Sequence, residues 1–235
     1  MEKTGIITSF MVDTYLLVNS KTGDMDMKNA ISEVRKGNII IVYDGDDREG
    51  EADLIFHGSF VTPEKIEILR KNAGGLICVA LDKKIADRFG LKFYTEILRE
   101  SKFEINKMAC KKTAYGDEPS FSIAVNHKNV YTGITDNDRA LTIKRISDIC
   151  DEDGAHEKFV GEFYAPGHVF LLIGRGIENR KGHTELALKI AEHADMPGVM
   201  VLCEMLGKGK ALSMDEAKKY ADKNGFAFLE GKEIW

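Results

Sequence analysis

The sequence contains few cysteines, and their spacing excludes the usual cysteine-based metal sites. The four cysteines stand at positions 78, 110, 150 and 203, so no two of them form a C-x-x-C pair. A zinc ribbon is therefore not expected. Cys78 and Cys203 lie inside apolar runs that are typical of strands, which predicts buried, reduced thiols in an intracellular protein.

Long apolar runs and an excess of positive charge are also missing. No stretch approaches the roughly 20 apolar residues of a membrane span, and Asp13 interrupts the apolar segment near the N-terminus, so a signal peptide is not expected. The formal net charge of -5 argues against a nucleic-acid-binding face, which favours a basic domain. We therefore expect a cytoplasmic protein that binds neither membranes nor nucleic acids.

The hydrophobic pattern predicts an α+β fold: a single three-layer domain in which helices flank a mixed β-sheet. Strand and helix patterns intermix over residues 26–235 without regular βαβ repeats, and residues 1–25 form an N-terminal extension of unknown role. Thr62, Asp82 and Ser213 are predicted helix caps. Strands are expected over residues 39–43, 53–60, 76–81, 120–126, 169–173, 199–206 and 226–229, a helix over 185–193, and a charged loop over 151–165.

The most unusual stretch is acidic and lies between two apolar strands. Six carboxylates fall within the ten residues 44–53, and Arg48 alone cannot neutralise them. Glu49, Glu51 and Asp53 alternate, so an extended chain presents them on one face. This pattern indicates a divalent-cation site, with the oxygen ligands that suit Mg²⁺ or Mn²⁺, or an acid–base cluster. The alternative is a solvated hairpin loop.

A second polar segment, residues 180–185, precedes a predicted helix. The backbone amides of a helix N-terminus bind anions, and Gly182 permits close approach, so the segment is compatible with a phosphate cradle; a plain capped helix is the alternative. His183 stands in this polar, glycine-bearing loop, which suits a metal ligand or a proton carrier.

Two further residues have unusual surroundings. His168 follows a Pro-Gly turn at the start of a strand; it belongs to a site at the sheet edge, or it is a turn histidine bonded to the backbone. Glu204 interrupts an apolar strand, where a carboxylate is costly unless it has a partner, so it serves either proton transfer or an ion pair. The other four histidines, at positions 57, 127, 156 and 193, are predicted to be surface or turn residues.

Five motifs in order resemble the 3,4-dihydroxy-2-butanone 4-phosphate synthase family over about residues 27–230. They are the acidic stretch 46–53, the segment 132–140 with Thr132-Gly133-Ile134 and Asp138-Arg139-Ala140, Pro166-Gly167-His168-Val169, Gly182-His183-Thr184-Glu185, and Cys203-Glu204.

The resemblance implies a lyase of riboflavin biosynthesis that converts ribulose 5-phosphate to 3,4-dihydroxy-2-butanone 4-phosphate and formate. It implies two Mg²⁺ (or Mn²⁺) ions held by Glu49 and His183, and a homodimer with the site near its interface. The implied catalytic residues are His168, Glu204 and Asp53. The implied substrate-binding residues are Arg48, Glu49, Asp53, Arg180, Lys181, Gly182, His183, Thr184 and Glu204. Glu51, Cys78, Thr135 and Arg139 complete the predicted site.

Other functions use the same residues. Another metal-dependent sugar-phosphate isomerase or aldolase would share the carboxylates and the cradle, and release of formate separates it from the synthase. A nucleotide- or RNA-binding module on a related fold would require a basic face, which the net charge does not indicate.

Overall fold

The structure is a computed structural model that describes residues 26–110 and 112–235. The predicted extension over residues 1–25 lies outside the described residues. Residues 26–35 are helical (α1). The later elements, in chain order, are β1 (Ile40–Tyr43), β2 (Ala52–His57), α2 (Pro63–Ile68), β3 (Cys78–Leu81), α3 (Lys83–Phe89), α4 (Tyr94–Glu100), β4 (Phe121–His127), α5 (Asp136–Ile149), α6 (Ala155–Glu162), β5 (Phe163–Ile173), α7 (His183–His193), β6 (Val199–Glu204), α8 (Met214–Asn224) and β7 (Phe228–Glu230).

The strands form one seven-stranded mixed sheet in the order β4-β5-β3-β6-β2-β1-β7. β5 runs parallel to β3, and β1 runs parallel to β7, while all other neighbours are antiparallel. The α+β prediction with a mixed sheet is thus confirmed. The central position of β6 and β2 brings their polar ends together inside the sheet.

Burial on both faces of the sheet explains the three layers. Ile41 and Tyr43 of β1 belong to one hydrophobic cluster, whereas Ile40 and Val42 belong to a second. The first cluster includes buried residues of α2, α3, α5, α6 and α8, and the second includes those of α1 and α7. A continuous apolar run is the pattern expected of a strand that is covered on both faces.

Local capping chemistry defines several helix starts as predicted. The Thr62 side chain accepts from the Lys65 amide, the Asp82 side chain accepts from the Ile85 amide, and Ser213 forms a capping box with Glu216. Each bond satisfies an amide that has no partner within its helix.

The predicted charged loop over residues 151–165 is wrong. It contains α6 and the beginning of β5, which is eleven residues long. Phe159 stacks between Phe89 and Phe163, with ring centroids 4.7 and 5.0 Å away. The apolar spacing of Ala155 and Phe159 was the available signal, because residues four apart share a helix face.

Two histidines that were predicted to lie at the surface or in turns are buried. His57 Nε2 donates to the carbonyl of Pro197 at 2.8 Å, and its Nδ1 accepts from the Ser59 amide at 3.2 Å. His127 is packed edge-on against the ring of Phe163. Their polar atoms find partners in the interior, so neither residue is available to a site.

Among the described helices, none is long and apolar enough to cross a membrane.

Candidate active site

The loop that joins β1 to β2 is folded around Asp44. This buried carboxylate accepts hydrogen bonds from the amides of Glu49 at 3.0 Å and Glu51 at 3.1 Å. The Asp44 amide donates to the carbonyl of Glu51, and Gly50 takes a positive φ of 66° that permits the tight return. The loop therefore presents the Glu49 side chain from a fixed backbone. Asp44 belongs to the acidic stretch, but sequence analysis gave it no role of its own.

Asp44, Glu49 and His183 come close enough to hold one metal ion. One ligand atom from each lies within 4.8 Å of the others. His183 Nε2 donates to the carbonyl of Glu51 at 3.1 Å, so Nδ1 is the nitrogen that faces Glu49 Oε2, at 4.0 Å. A backbone carbonyl that fixes the tautomer in this way is common for metal-binding histidines. The structure thus brings together the two residues predicted to bind metal.

Asp53 and Glu204 form a carboxylate pair beside that cluster. They are direct partners on neighbouring strands β2 and β6, and alternation places both on the α7 face of the sheet. Glu204 accepts from the Leu76 amide at 2.7 Å, and Gly75 leaves space for it, since a Cβ there would meet Glu204 Oε2 at 2.3 Å. Asp53 is completely buried, and neither of its carboxylate oxygens has a hydrogen-bond partner among the described residues.

Burial controls the protonation of this group. It raises the pKa of Asp53 to about 8, although His183, whose Nε2 lies 3.6 Å from Asp53 Oδ1, acts in the opposite direction. Burial alone would lower the pKa of His183, but the carboxylates of Asp53, Asp44 and Glu49 outweigh it and raise that pKa. Burial, followed by Glu49, raises the pKa of Glu51. A carboxyl group whose pKa lies near neutrality suits proton transfer.

Cys78, which was also predicted to belong to the site, lies next to these carboxylates as a buried thiol. Burial, followed by the charges of Glu204 and Asp53, raises its pKa well above the usual range. A thiol with a raised pKa is a poor nucleophile at neutral pH, and Cys78 packs in the second hydrophobic cluster.

Two arginines and a turn form the other wall. Arg180 donates to Glu185 Oε2 at 2.6 Å and to Glu49 Oε1 at 3.5 Å. Arg48 Nε lies 3.6 Å from Asp44 Oδ2, and its Nη2 lies 3.0 Å from Asp117 Oδ2. Asp117 is not among the residues predicted from the sequence, and it lies in the turn that precedes β4. No local pattern in that turn indicates its long-range partners.

The N-terminus of α7 lies beside these arginines. Gly182 is its N-cap and offers no side-chain hydrogen bond, and Thr184 is buried in the first turn. A Cβ at Gly182 would meet Arg180 Nη1 at 2.2 Å, so glycine is required for the guanidinium to lie there. Lys181 turns away: its Nζ lies 3.0 Å from the ring centroid of Trp235.

His168 belongs to a separate group at the β4–β5 side of the sheet. Its amide donates to Asn126 Oδ1 at 2.8 Å, and its Nδ1 lies 3.1 Å from Asn126 Nδ2. β5 and β3 are parallel, and Phe170 of β5 pairs with Cys78 of β3. Two residues before each of them, His168 is therefore level with Leu76, whose amide donates to Glu204. His168 is therefore about two strand spacings, roughly 10 Å, from Glu204.

The predicted residues Thr135 and Arg139 have structural partners. Thr135 caps α5 by accepting from the Asp138 amide, and Arg139 donates to Asp136 Oδ1 at 3.2 Å. Asp136 also pairs with Arg70 of the segment that follows α2, at 2.8 Å. These contacts order the start of α5, and among the described interactions none joins either residue to the Glu49–His183 cluster.

Fold and site together define an α+β protein in which an acidic cluster that could hold a cation lies beside the N-terminus of α7. The sequence matches the family described as 3,4-dihydroxy-2-butanone 4-phosphate synthase over residues 28–235. A protein of that name from Methanothermobacter thermautotrophicus is 39% identical over 215 residues, covering 88% of this chain and 93% of the relative. Another from Archaeoglobus fulgidus is 40% identical over 220 residues, covering 89% and 92%.

Solved structures show the same fold. A crystal structure of 3,4-dihydroxy-2-butanone 4-phosphate synthase in complex with two magnesium ions superposes with a TM-score of 0.71 at 23% identity, covering 88% of this chain and 93% of that one. The chain belongs to the 3,4-dihydroxy-2-butanone 4-phosphate synthase family, and it is a lyase of riboflavin biosynthesis.

Proposed function

We propose that this chain converts ribulose 5-phosphate to 3,4-dihydroxy-2-butanone 4-phosphate and formate with the residues just described. The observation that carries the assignment is the pair of buried Asp53 and partly buried Glu204, which adjoins both the Asp44–Glu49–His183 cluster and the start of α7. One face of the sheet thus offers proton-transfer groups, metal ligands and an anion-binding helix end. The products contain all the atoms of the substrate, so the reaction needs no external oxidant or reductant.

The residues present fit a divalent cation, either Mg²⁺ or Mn²⁺, and we propose two ions per site. Two carboxylates and the Nδ1 atom of His183 converge, and the second histidine nitrogen is held by the Glu51 carbonyl. When bound, the metal stabilises oxyanions and lowers the pKa of coordinated hydroxyl groups. The unpartnered oxygens of Asp53 lie on the same side and are available to a second ion or to a substrate hydroxyl group.

Asp53 and Glu204 are proposed to move protons between neighbouring carbons of the sugar. The Leu76 amide fixes one oxygen of Glu204 and leaves the other for the substrate. The pKa of Asp53, near 8 through burial, allows this group both to accept and to release a proton at neutral pH. Enediol formation, loss of water, the carbon-skeleton shift, and the return of one water with release of formate all require such transfers.

The phosphate end is proposed to lie at the start of α7. The helix amides, the Thr184 hydroxyl and the guanidinium groups of Arg180 and Arg48 supply donors there, with Gly182 allowing close approach. Binding at this end fixes the reacting carbons against the metal site. Lys181 remains a predicted contributor, and its use would require Nζ to leave the ring of Trp235.

We further propose a homodimer in which His168 acts on the site of the partner subunit. The distance of about two strand spacings separates His168 from Glu204 within one chain. The large side chains of Tyr131, Ile134 and Tyr164 are exposed on the same part of the surface. A second copy packed on this surface would cover these side chains and supply the missing acidic half of the site.

Mixed dimers test this arrangement. His168→Ser and Glu49→Gln chains are each expected to be inactive, but co-refolding them should restore about a quarter of wild-type activity, because half of the dimers then contain one intact composite site. If verified mixed dimers show no activity, His168 and Glu49 act in the site of the same chain.

The decisive assay is incubation with ribulose 5-phosphate and Mg²⁺, followed by measurement of formate. EDTA should stop formate release, and added Mg²⁺ should restore it. An isomerase or aldolase would consume the substrate without formate. We propose that the enzyme works in the cytoplasm and without nucleic acid, in agreement with its net charge of -5.

A further inference from the structure

The carboxylate of Asp117 lies between the two arginines that are proposed to receive the substrate phosphate. Its Oδ2 is 3.0 Å from Arg48 Nη2 and 3.5 Å from Arg180 Nε. Asp117 comes from the turn that precedes β4, far in sequence from both arginines. An anionic group of the chain itself thus occupies the space between two cations.

These contacts are not hydrogen bonds. Asp117 Oδ2, Arg48 Nη2 and Arg180 Nε are all buried and without a hydrogen-bond partner among the described residues. The Arg180 side chain is only 9% exposed, so its Nε cannot turn to solvent for compensation. By contrast, the other nitrogens of Arg180 have hydrogen-bond partners, Glu185 at 2.6 Å and Glu49 at 3.5 Å. Buried donors without a partner require an explanation, and a different acceptor between the two arginines would supply one.

The turn that carries Asp117 is a small hydrogen-bonded unit. The Thr113 hydroxyl donates to the Asp117 carbonyl at 3.1 Å, and the Thr113 amide donates to the same carbonyl at 3.0 Å. Gly116 has a φ of 88°, which closes the turn. The Tyr115 ring lies 5.5 Å from the Arg48 guanidinium. Asp117 therefore reaches the arginines from a compact, internally hydrogen-bonded turn.

We propose that Asp117 is a resident anion that a substrate phosphate group displaces from Arg48 and Arg180. A phosphate dianion and the carboxylate cannot both bind between these guanidinium groups, because two negative charges at contact distance repel each other strongly in a buried site. Asp117 would then set the affinity for the phosphate end and disfavour sugars without a dianion, which cannot compete for the arginines. This inference rests on the proposed function of the two arginines.

The test compares two neighbouring charge-removing variants. Asp117→Asn removes the charge between Arg48 and Arg180, and Glu118→Gln removes the adjacent charge, which instead pairs with Arg99 and Arg175. Binding of inorganic phosphate is measured by calorimetry and as competitive inhibition of formate release. We expect about three- to tenfold tighter phosphate binding and a lower KM for Asp117→Asn, and less than about twofold change for Glu118→Gln.

Weaker or unchanged phosphate binding in Asp117→Asn would overturn the inference, because it would mean that the carboxylate positions the arginines instead of competing. Phosphate binding is also measured for Asp117→Ala, because alanine, unlike asparagine, has no side-chain amide that could replace the carboxylate contact with the arginines. Circular dichroism checks that all variants are folded. Failure of the wild-type chain to form formate would refute the proposed function, whereas normal formate release with no effect of Asp117→Asn would refute only this inference.

Discussion

Replacing Asp53 with asparagine is predicted to stabilise the metal-free protein while abolishing activity. The carboxyl group is completely buried, and its oxygens have no hydrogen-bond partner among the described residues. Asparagine has nearly the same shape and no charge. The substitution therefore removes the carboxyl group that is proposed to transfer protons, and with it a charge whose burial destabilises the folded chain.

The magnitude follows from the pKa. Burial raises the pKa of Asp53 from 3.8 to about 8, so at pH 7 the folded protein binds a proton that the unfolded chain releases. A raised pKa for an acid means that the stability penalty grows as pH rises from about 4 and is complete only above about 8. At about 1.4 kcal/mol per pKa unit, the penalty at pH 7 has an upper limit of about 4 kcal/mol. We expect Asp53→Asn to raise the free energy of unfolding by about 2–4 kcal/mol.

Urea unfolding in EDTA at about pH 4, 6 and 8 measures this effect, and the advantage of Asp53→Asn should increase across the series. Asp138→Asn is the matched control. Burial pushes the pKa of Asp138 up, but hydrogen bonds from the amides of Gly133, Tyr131 and Thr132 outweigh it and leave the pKa lowered. That variant should lose stability. The reasoning would be refuted if Asp53→Asn were less stable than the wild-type chain at pH 8 by the same free energy of unfolding as at pH 4.

Three other predictions concern activity, metal and pH. Glu204→Gln keeps an oxygen to accept from the Leu76 amide, so it should remain folded and lose formate release by at least about a hundredfold; full activity under saturating Mg²⁺ would remove Glu204 from proton transfer. Glu49→Gln should weaken Mg²⁺ binding by at least about tenfold in calorimetry, whereas the same change at exposed Glu157 should not. The bidentate bond from Arg145 lowers the pKa of Glu162 to about 2, so its stabilisation is present above about pH 4.5 and is lost as pH falls toward 2. Glu162→Gln should therefore cost about 1–2 kcal/mol at pH 7 and progressively less in acid, as measured by urea unfolding; a loss that does not depend on pH would indicate packing instead of charge.

Patterns over a few residues predicted much of this chain. The unbroken apolar run ending at Val42 predicts a strand buried on both faces, and the Ser213 capping box defines the start of α8, because both depend on local chemistry. The same local reasoning failed for residues 151–165, where the apolar spacing of Ala155 and Phe159 was outweighed by the surrounding charges.

The order of the residues already shows which chemical groups are available: a carboxylate-rich hairpin, a histidine at a glycine-bearing helix start and a glutamate in an apolar strand. Which of these groups become neighbours depends on how distant segments pack. The register of β2 against β6 pairs Asp53 with Glu204, and folding places Asp117 between Arg48 and Arg180 while Lys181 contacts Trp235. Register and packing between distant segments depend on the whole core, and no short stretch of sequence encodes them.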